Sequence, residues 1–205
     1  MRELGAQFTS NPASVLGHDC AYSIPFPDGR AFWVFGDTLI GSQSPDGQRK
    51  IVGMPANTGA LVSDRDARNG LHDFTYIADR SGTACAFLVN FPSEHPTKNR
   101  LWPSQGVVLT DAGSTPTLYL FSSLVEILEG PPPPGNIKHV GCGIARSPLS
   151  RGGSLTVPLE RLVRDGKSLF WGSDAPAIGT SVVRASSDTL RVYCSGSAQG
   201  RPSAF

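Results

Sequence analysis

The chain has 205 residues, 39% of them hydrophobic, enough for a sizeable core in one or two domains. Its 18 Lys and Arg against 17 Asp and Glu leave a formal charge of +1, which argues against a basic nucleic-acid binder and against an acidic tail protein. Charged residues make only 17%, whereas 23 Gly and 17 Pro demand many turns and few long helices, so an ordered all-β protein is expected.

No run approaches the ~18–20 apolar residues of a membrane span. The start, Met1-Arg2-Glu3-Leu4-Gly5-Ala6-Gln7, lacks a basic segment followed by an apolar one, so no signal peptide is visible. Cys20, Cys85, Cys142 and Cys194 are spaced too widely for a structural zinc site and sit among small or apolar residues. Free, half-buried thiols are expected, with one disulfide between distant strands as the alternative. No metal and no cofactor are expected: HExxH, P-loop and GxSxG patterns are absent, and Gly141-Cys142-Gly143 has too few glycines for a dinucleotide site.

In chain order, β-branched and aromatic runs bounded by Gly, Pro and Asp read as strands. The first set is Ala21–Ile24, Ala31–Phe35, Thr58–Val62 and Phe74–Ile77, with a turn at Pro27-Asp28-Gly29. The order returns as Gly106–Leu109, Thr117–Phe121, Gly143–Arg146 and Leu159–Leu162. The offsets agree: Tyr22 to Val107 is 85 residues, Phe35 to Phe121 is 86, Gly59 to Gly143 is 84 and Thr75 to Glu160 is 85. A third set begins with Gly179–Val183 and Thr189–Tyr193. Four strands per repeat is the pattern of a β-propeller blade of antiparallel strands. The expectation is one partial propeller domain over 1–205: blade one about 17–78, blade two about 102–163, the start of blade three about 170–197. Rings close with about 4–8 blades, so a second chain or a further segment would complete it. Pro131 to Pro134 are read as a stiff loop inside blade two.

Carboxylates from different blades converge on a propeller's funnel, and glycoside hydrolysis needs two of them. Asp19 precedes the first strand of blade one and Asp37 ends its second. Glu126 follows the second strand of blade two, and Asp174 precedes blade three. These four are the catalytic candidates; each has an ordinary structural role as its alternative, as a turn former or a solvated edge residue. Trp102 and Trp171, at the starts of blades two and three, and His18 and His139, beside strands, are candidate sugar contacts. Trp33 alternates within a strand and is read as core, His72 and His95 as loop residues, and Ser186-Ser187-Asp188 as only a faint Asp-box.

Asp19 to Pro25 with Pro27-Asp28-Gly29-Arg30, and then Phe32-Trp33-Val34-Phe35-Gly36-Asp37-Thr38, resemble the opening of a bacterial β-propeller family. That family was long catalogued as a domain of unknown function and includes secreted endo-D-arabinanases. Asn57 to Leu61, Trp102-Pro103 with Gly106, His139-Val140-Gly141 with Gly143 to Arg146, and Trp171 to Asp174 match as well, so the resemblance spans roughly residues 17 to 197. It implies a five-bladed propeller and, for some members, hydrolysis of a furanosidic polysaccharide by channel carboxylates, here Asp19 and Asp37. Gln105 stands in the Trp-Pro-x-x-Gly segment, where relatives are expected to carry an acidic or other polar residue, and joins the substrate-contact set. A carbohydrate is therefore the expected partner, with no nucleic acid and no membrane. The competing expectations are a non-catalytic carbohydrate-binding propeller and an inactive truncated product.

Overall fold

Aromatic and β-branched residues that alternate along short segments bury one or both faces of a sheet, and turn residues decide where the chain reverses. Phe26 to Arg30 illustrate the second point. Asp28 accepts the Arg30 amide at 3.0 Å, Phe26 N–H donates to the Arg30 carbonyl at 2.8 Å, and Gly29 takes a φ of +87° that other residues resist. In the computed structural model, residues 7–8, 13–110, 114–130, 136–186, 188–198 and 201–202 are described. The Pro131–Pro134 run and Ser187 lie outside them. Two compact units are present, residues 1–87 and 88–205.

The first unit contains strands β1 (Val15–His18), β2 (Tyr22–Pro25), β3 (Ala31–Phe35), β4 (Thr38–Gln43), β5 (Arg49–Gly53), β6 (Thr58–Val62) and β7 (Phe74–Tyr76), with one 3-10 turn at Ala67–Asn69. Strands β2, β3, β6 and β7 form a four-stranded antiparallel sheet in that order. These are the four runs expected for blade one. Phe32 and Val34 lie on one face of β3, where Phe32 meets Phe87 edge to face at 5.4 Å. Trp33 and Phe35 lie on the other, with Phe35 in a core of Ala13, Val15, Ile40, Ala60, Tyr76 and Ala84. Trp33 packs against that core, as its alternation implies. Strands β1, β4 and β5 make a separate three-stranded sheet, with β4 and β5 inserted between β3 and β6 in sequence and β1 preceding β2. Sequence reading missed it because β5 is exposed over Arg49–Val52, with Val52 69% accessible, so no alternation marks it.

The second unit begins with β8 (Asn99–Leu109), β9 (Thr117–Ile127), β10 (Ile137–Pro148) and β11 (Glu160–Arg161), an antiparallel sheet in the order β11-β10-β9-β8. It continues with the hairpin β12 (Ala177–Arg184) and β13 (Leu190–Ser195) and two short strands, β14 (Ser197–Ala198) and β15 (Arg201–Pro202). The runs expected for blade two and the opening of blade three are therefore strands, but β8, β9 and β10 are 11 to 12 residues long. Glu126 consequently lies inside β9 rather than after it. The architecture is nearly all-β and built of antiparallel four-stranded sheets, and these sheets do not close on themselves.

A buried ion pair holds the 88–98 segment to the sheet edge. Arg161 on β11 donates to both Glu94 oxygens, at 2.6 and 2.9 Å, and its guanidinium lies 4.3 Å from the Phe91 ring centre. The two side chains are 5% and 11% exposed, so removing one partner strands the other's charge away from water. Arg161→Met is expected to destabilise the second unit by about 3 kcal/mol. Urea unfolding followed by fluorescence would check this, and Arg161→Met with Glu94→Gln should recover part of the loss.

Tyr76 places an unsatisfied polar group in the core of the first unit. Its hydroxyl is buried with no hydrogen-bond partner among the described residues, and burial pushes its pKa up to about 12 from 10. The unfolded chain therefore releases this proton first, so stability falls as the pH rises from 10 towards 12. Tyr76→Phe should flatten that decline and leave stability at neutral pH unchanged or raised by about 1 kcal/mol. Thermal melts across pH 7–11 would measure both effects.

Candidate functional site

In the first unit the main chains of two residues whose carboxylates are catalytic candidates, Asp19 and Asp37, are paired. His18 ends β1 opposite Thr38 of β4, and the ladder continues one step beyond the strands. Asp19 N–H donates to the Asp37 carbonyl at 2.8 Å, and Gly36 N–H donates to the Asp19 carbonyl at 2.8 Å. The Asp37 turn is fixed from beneath by buried Thr38, whose hydroxyl donates to the Gly36 carbonyl at 2.9 Å and lies 2.8 Å from the Thr58 hydroxyl. Asp19 is exposed and Asp37 half-buried. One Asp19 oxygen accepts the Cys20 amide at 2.8 Å, where the chain takes a positive φ of 53°.

Cys20 reports on this pair. Its thiol pKa is raised, first by desolvation and then by the negative charges of Asp19 and Asp37. Both carboxylates thus act on one exposed point. His18 is built into the aromatic cluster: its ring stacks on Phe35 at 3.8 Å and meets Phe8 edge-on at 5.9 Å. Burial lowers the His18 pKa, so the imidazole is neutral at neutral pH.

In the second unit a row of side chains crosses the sheet. Residues directly opposite in antiparallel strands point to the same face. Trp102 on β8 is opposite Ser123 on β9, Ser123 is opposite Cys142 on β10, and Cys142 is bridged to Trp171. A bulge between His139 and Gly141 shifts the alternation, so that His139, three residues before Cys142, meets it with Nε2 3.4 Å from the sulfur. Trp102, His139 and Trp171, three of the expected sugar contacts, therefore share one row. Gln105 sits half-buried at the β8 bulge between Pro103 and Gly106.

Trp171 lies between two hollows. One, of about 590 Å³, is bordered by Arg164, Asp165, Lys167 and Phe170; the other, of about 280 Å³, is apolar and bordered by Phe121, Pro176, Ile178, Val192 and Cys194. The Trp171 ring lies 6.1 Å from Phe121. The other two expected carboxylates have separate surroundings. Glu126 faces Lys138 across the ladder at 3.6 Å, and Asp174 is exposed in the turn that Ala175 N–H closes on the Gly172 carbonyl at 3.2 Å. Sequence reading missed Cys142 as the centre of the row, although its flanking glycines were a signal of close backbone approach. All four cysteines are free. Among the described residues, no cluster of three or more His, Cys, Asp or Glu is arranged to hold a metal ion.

These features belong to an all-β protein with a carboxylate pair and an aromatic row. The model of one family, described as a domain of unknown function (DUF5005), matches residues 6–199, and the chain belongs to that family. No curated protein matches. Among solved structures, the chain is similar to one described as a "putative hydrolase" from Bacteroides ovatus ATCC 8483, with 16% identity and a TM-score of 0.49. That likeness covers 72% of this chain and 39% of the other, so the chain spans about two fifths of the length of the solved structure it matches.

The convergence of Asp19 and Asp37 on Cys20 has a direct readout. Replacing both with Asn removes two charges that disfavour the thiolate, so labelling of Cys20 by a neutral disulfide reagent at pH 8 should speed up by roughly two- to five-fold. Each single substitution should give a smaller gain. Peptide-level mass spectrometry measures the rate, and an unchanged rate in the double variant would place the carboxylates too far apart to cooperate.

Proposed function

We propose that this protein is a glycoside-hydrolase-like propeller that cleaves a polysaccharide, with a furanosidic arabinan as the first substrate to test. The observation that supports the reading is the backbone pairing of Asp19 with the Gly36–Asp37 turn, Asp19 N–H to the Asp37 carbonyl and Gly36 N–H to the Asp19 carbonyl. Hydrolysis of a glycosidic bond asks one carboxyl group to protonate the leaving oxygen and a second carboxylate to attack the anomeric carbon or to deprotonate the attacking water. Asp19 and Asp37 take these two roles. Glu126 and Asp174 remain alternative acids; His18 is the candidate glycan contact of the first unit, and Trp102, Gln105, His139 and Trp171 are those of the second. Aromatic faces suit the C–H faces of sugar rings, and Trp171 lines open hollows on either side. The resemblance to a family that includes endo-D-arabinanases supports the choice of substrate.

A second reading, a non-catalytic carbohydrate-binding propeller, is favoured by one feature: an Asp19 oxygen is already engaged by the Cys20 amide, as in an ordinary turn. Release of reducing ends from arabinan and from a panel of other polysaccharides separates the two. The hydrolase is expected to show turnover that falls by at least about a hundredfold in Asp19→Asn and Asp37→Asn, with glycan affinity by calorimetry retained. Binding without turnover in the unaltered chain would leave the second reading. Neither binding nor turnover on any glycan would remove both.

A further inference from the structure

Outside the carboxylate pair, the densest set of reactive groups surrounds the Cys142 sulfur. The Ile178 amide donates to it at 3.3 Å, the Ser123 hydroxyl and His139 Nε2 each lie 3.4 Å away, and the Pro176 carbonyl accepts from it at 3.8 Å. A second cysteine shares this pocket. Cys194 on β13 is the cross-strand partner of Ile178 and packs in the same apolar cluster as Cys142, Phe121 and Ile178. Burial raises the pKa of its thiol, the Gly179 amide beside it opposes that shift, and Cys142 adds to it. Two successive backbone amides, Ile178 and Gly179, therefore serve two different sulfurs. Successive amides of a regular strand point to opposite sides. Here the register shift between Ile178 and Ser181 and the positive φ of Gly179, +86°, allow both to turn towards the cluster. Consequently the two thiols border adjacent residues of β12 and share one apolar cluster, although 52 residues separate them in sequence.

Their exposures differ in a useful way. Cys142 is fully buried, whereas Cys194 is half-buried and lines the open apolar hollow of about 280 Å³. One thiol is open to a small reagent, and the other is held behind it. We propose that Cys142 and Cys194 are an oxidisable pair that forms a disulfide between β10 and β13 when a hydroperoxide enters the hollow.

The chemistry balances as follows. The Cys194 thiolate attacks one peroxide oxygen and the O–O bond breaks. Cys194 becomes a sulfenic acid, and the other oxygen leaves as hydroxide or alkoxide and takes up a proton. Cys142 then attacks the Cys194 sulfur, the S–O bond breaks, and the oxygen departs as water with the Cys142 proton, which His139 Nε2 is placed to relay. Two thiols lose two electrons in all, and the hydroperoxide is reduced to water and its alcohol, or to two waters for hydrogen peroxide. Closing the bond needs the usual ~5.5–6 Å between Cα atoms, so the β12–β13 hairpin has to close on β10 as the disulfide forms. The bond would staple the β12–β13 hairpin to the four-stranded sheet and fix the wall of the hollow beside Trp171. It does not depend on what the carboxylate pair does.

The test is peptide mapping of the full, reduced chain after treatment with a small excess of hydrogen peroxide. Trypsin, which does not cleave the Arg201–Pro202 bond, leaves Cys142 in His139–Arg146 and Cys194 in Val192–Phe205. The expected product is one cross-linked pair of these peptides, two hydrogens lighter than the sum of the reduced peptides. A rise of roughly 10 °C in Tm, reversed by dithiothreitol, should accompany it. Cys194→Ser should abolish the cross-link, and Cys20→Ser and Cys85→Ser should leave it. The proposal is overturned if Cys194 accumulates sulfinic acid while Cys142 stays reduced, if either thiol pairs with Cys20 or Cys85 instead, or if both remain free thiols. Mapping of the unaltered chain decides this even where Cys194→Ser fails to fold.

Discussion

The second unit depends on how closely one backbone approaches another at Cys142. Its amide donates to the Trp171 carbonyl at 2.9 Å, and its own carbonyl accepts the amides of Phe170 at 2.9 Å and Trp171 at 3.3 Å. Such docking leaves no space beside it. A Cβ on Gly141 would stand 2.4 Å from the Trp171 carbonyl oxygen, and one on Gly143 would stand 2.5 Å from that of Ser168. Backbone atoms cannot yield as a side-chain tip can, so Gly-Cys-Gly is the slot that receives residues 168–171. With main-chain groups committed to Trp171 and the sulfur committed to Ile178 and Ser123, one residue joins β9, β10, the 168–171 segment and β12.

The aromatic row follows from that slot. Trp171 reaches the sheet only because residues 168–171 lie flat against β10, and it completes a line begun by Trp102 and Ser123. Trp171 N–H and carbonyl are consumed by Cys142, so its ring is held at the rim between the two hollows rather than folded into the core. Gly179 plays a related part on the next hairpin. Its φ of +86° belongs to a bulge, and a Cβ there would stand 2.3 Å from the Phe121 Cβ. Close approach at three glycines thus sets both walls of the apolar hollow.

Much of the sheet framework was legible because strand signals repeat with a spacing near 85 residues, and β2, β3, β6 and β7, then β9, β10 and β11, fall where that spacing puts them. What failed to register has a physical cause. In the β1–β4–β5 sheet, β5 is exposed over Arg49–Val52 and carries no burial pattern, and β4 buries only Thr38 and Ile40 before it runs into solvent. Strands β8, β9 and β10 extend past their apolar runs through half-polar stretches such as Ser122-Ser123 and Lys138-His139. At the site, the neighbourhood of Asp19 and Asp37 was implied by their positions before and after strands, and the pairing of β1 with β4 supplies the missing step. The Trp102–Ser123–Cys142–Trp171 row was not legible, since register between strands and a bulge at Gly141 decide it, and neither leaves a mark in local composition.

The carboxylate residues of the first unit and the aromatic row of the second are positioned by different means, and that difference governs what substitution at each can reveal. Asp19 and Asp37 are set by main-chain bonds, Asp19 N–H to the Asp37 carbonyl and Gly36 N–H to the Asp19 carbonyl, with Thr38 and Thr58 beneath. None of these bonds needs a carboxylate. An amide in place of either one keeps the ladder, and Asn tolerates the same turn chemistry as Asp. Loss of turnover there would report chemistry rather than misfolding. In the row, by contrast, Cys142 is wholly buried and its sulfur is an acceptor for the Ile178 amide, so exchanging it alters packing and hydrogen bonding together. Function is better interrogated at the rim, at Trp102 or Trp171, than at the thiol on which the row is strung.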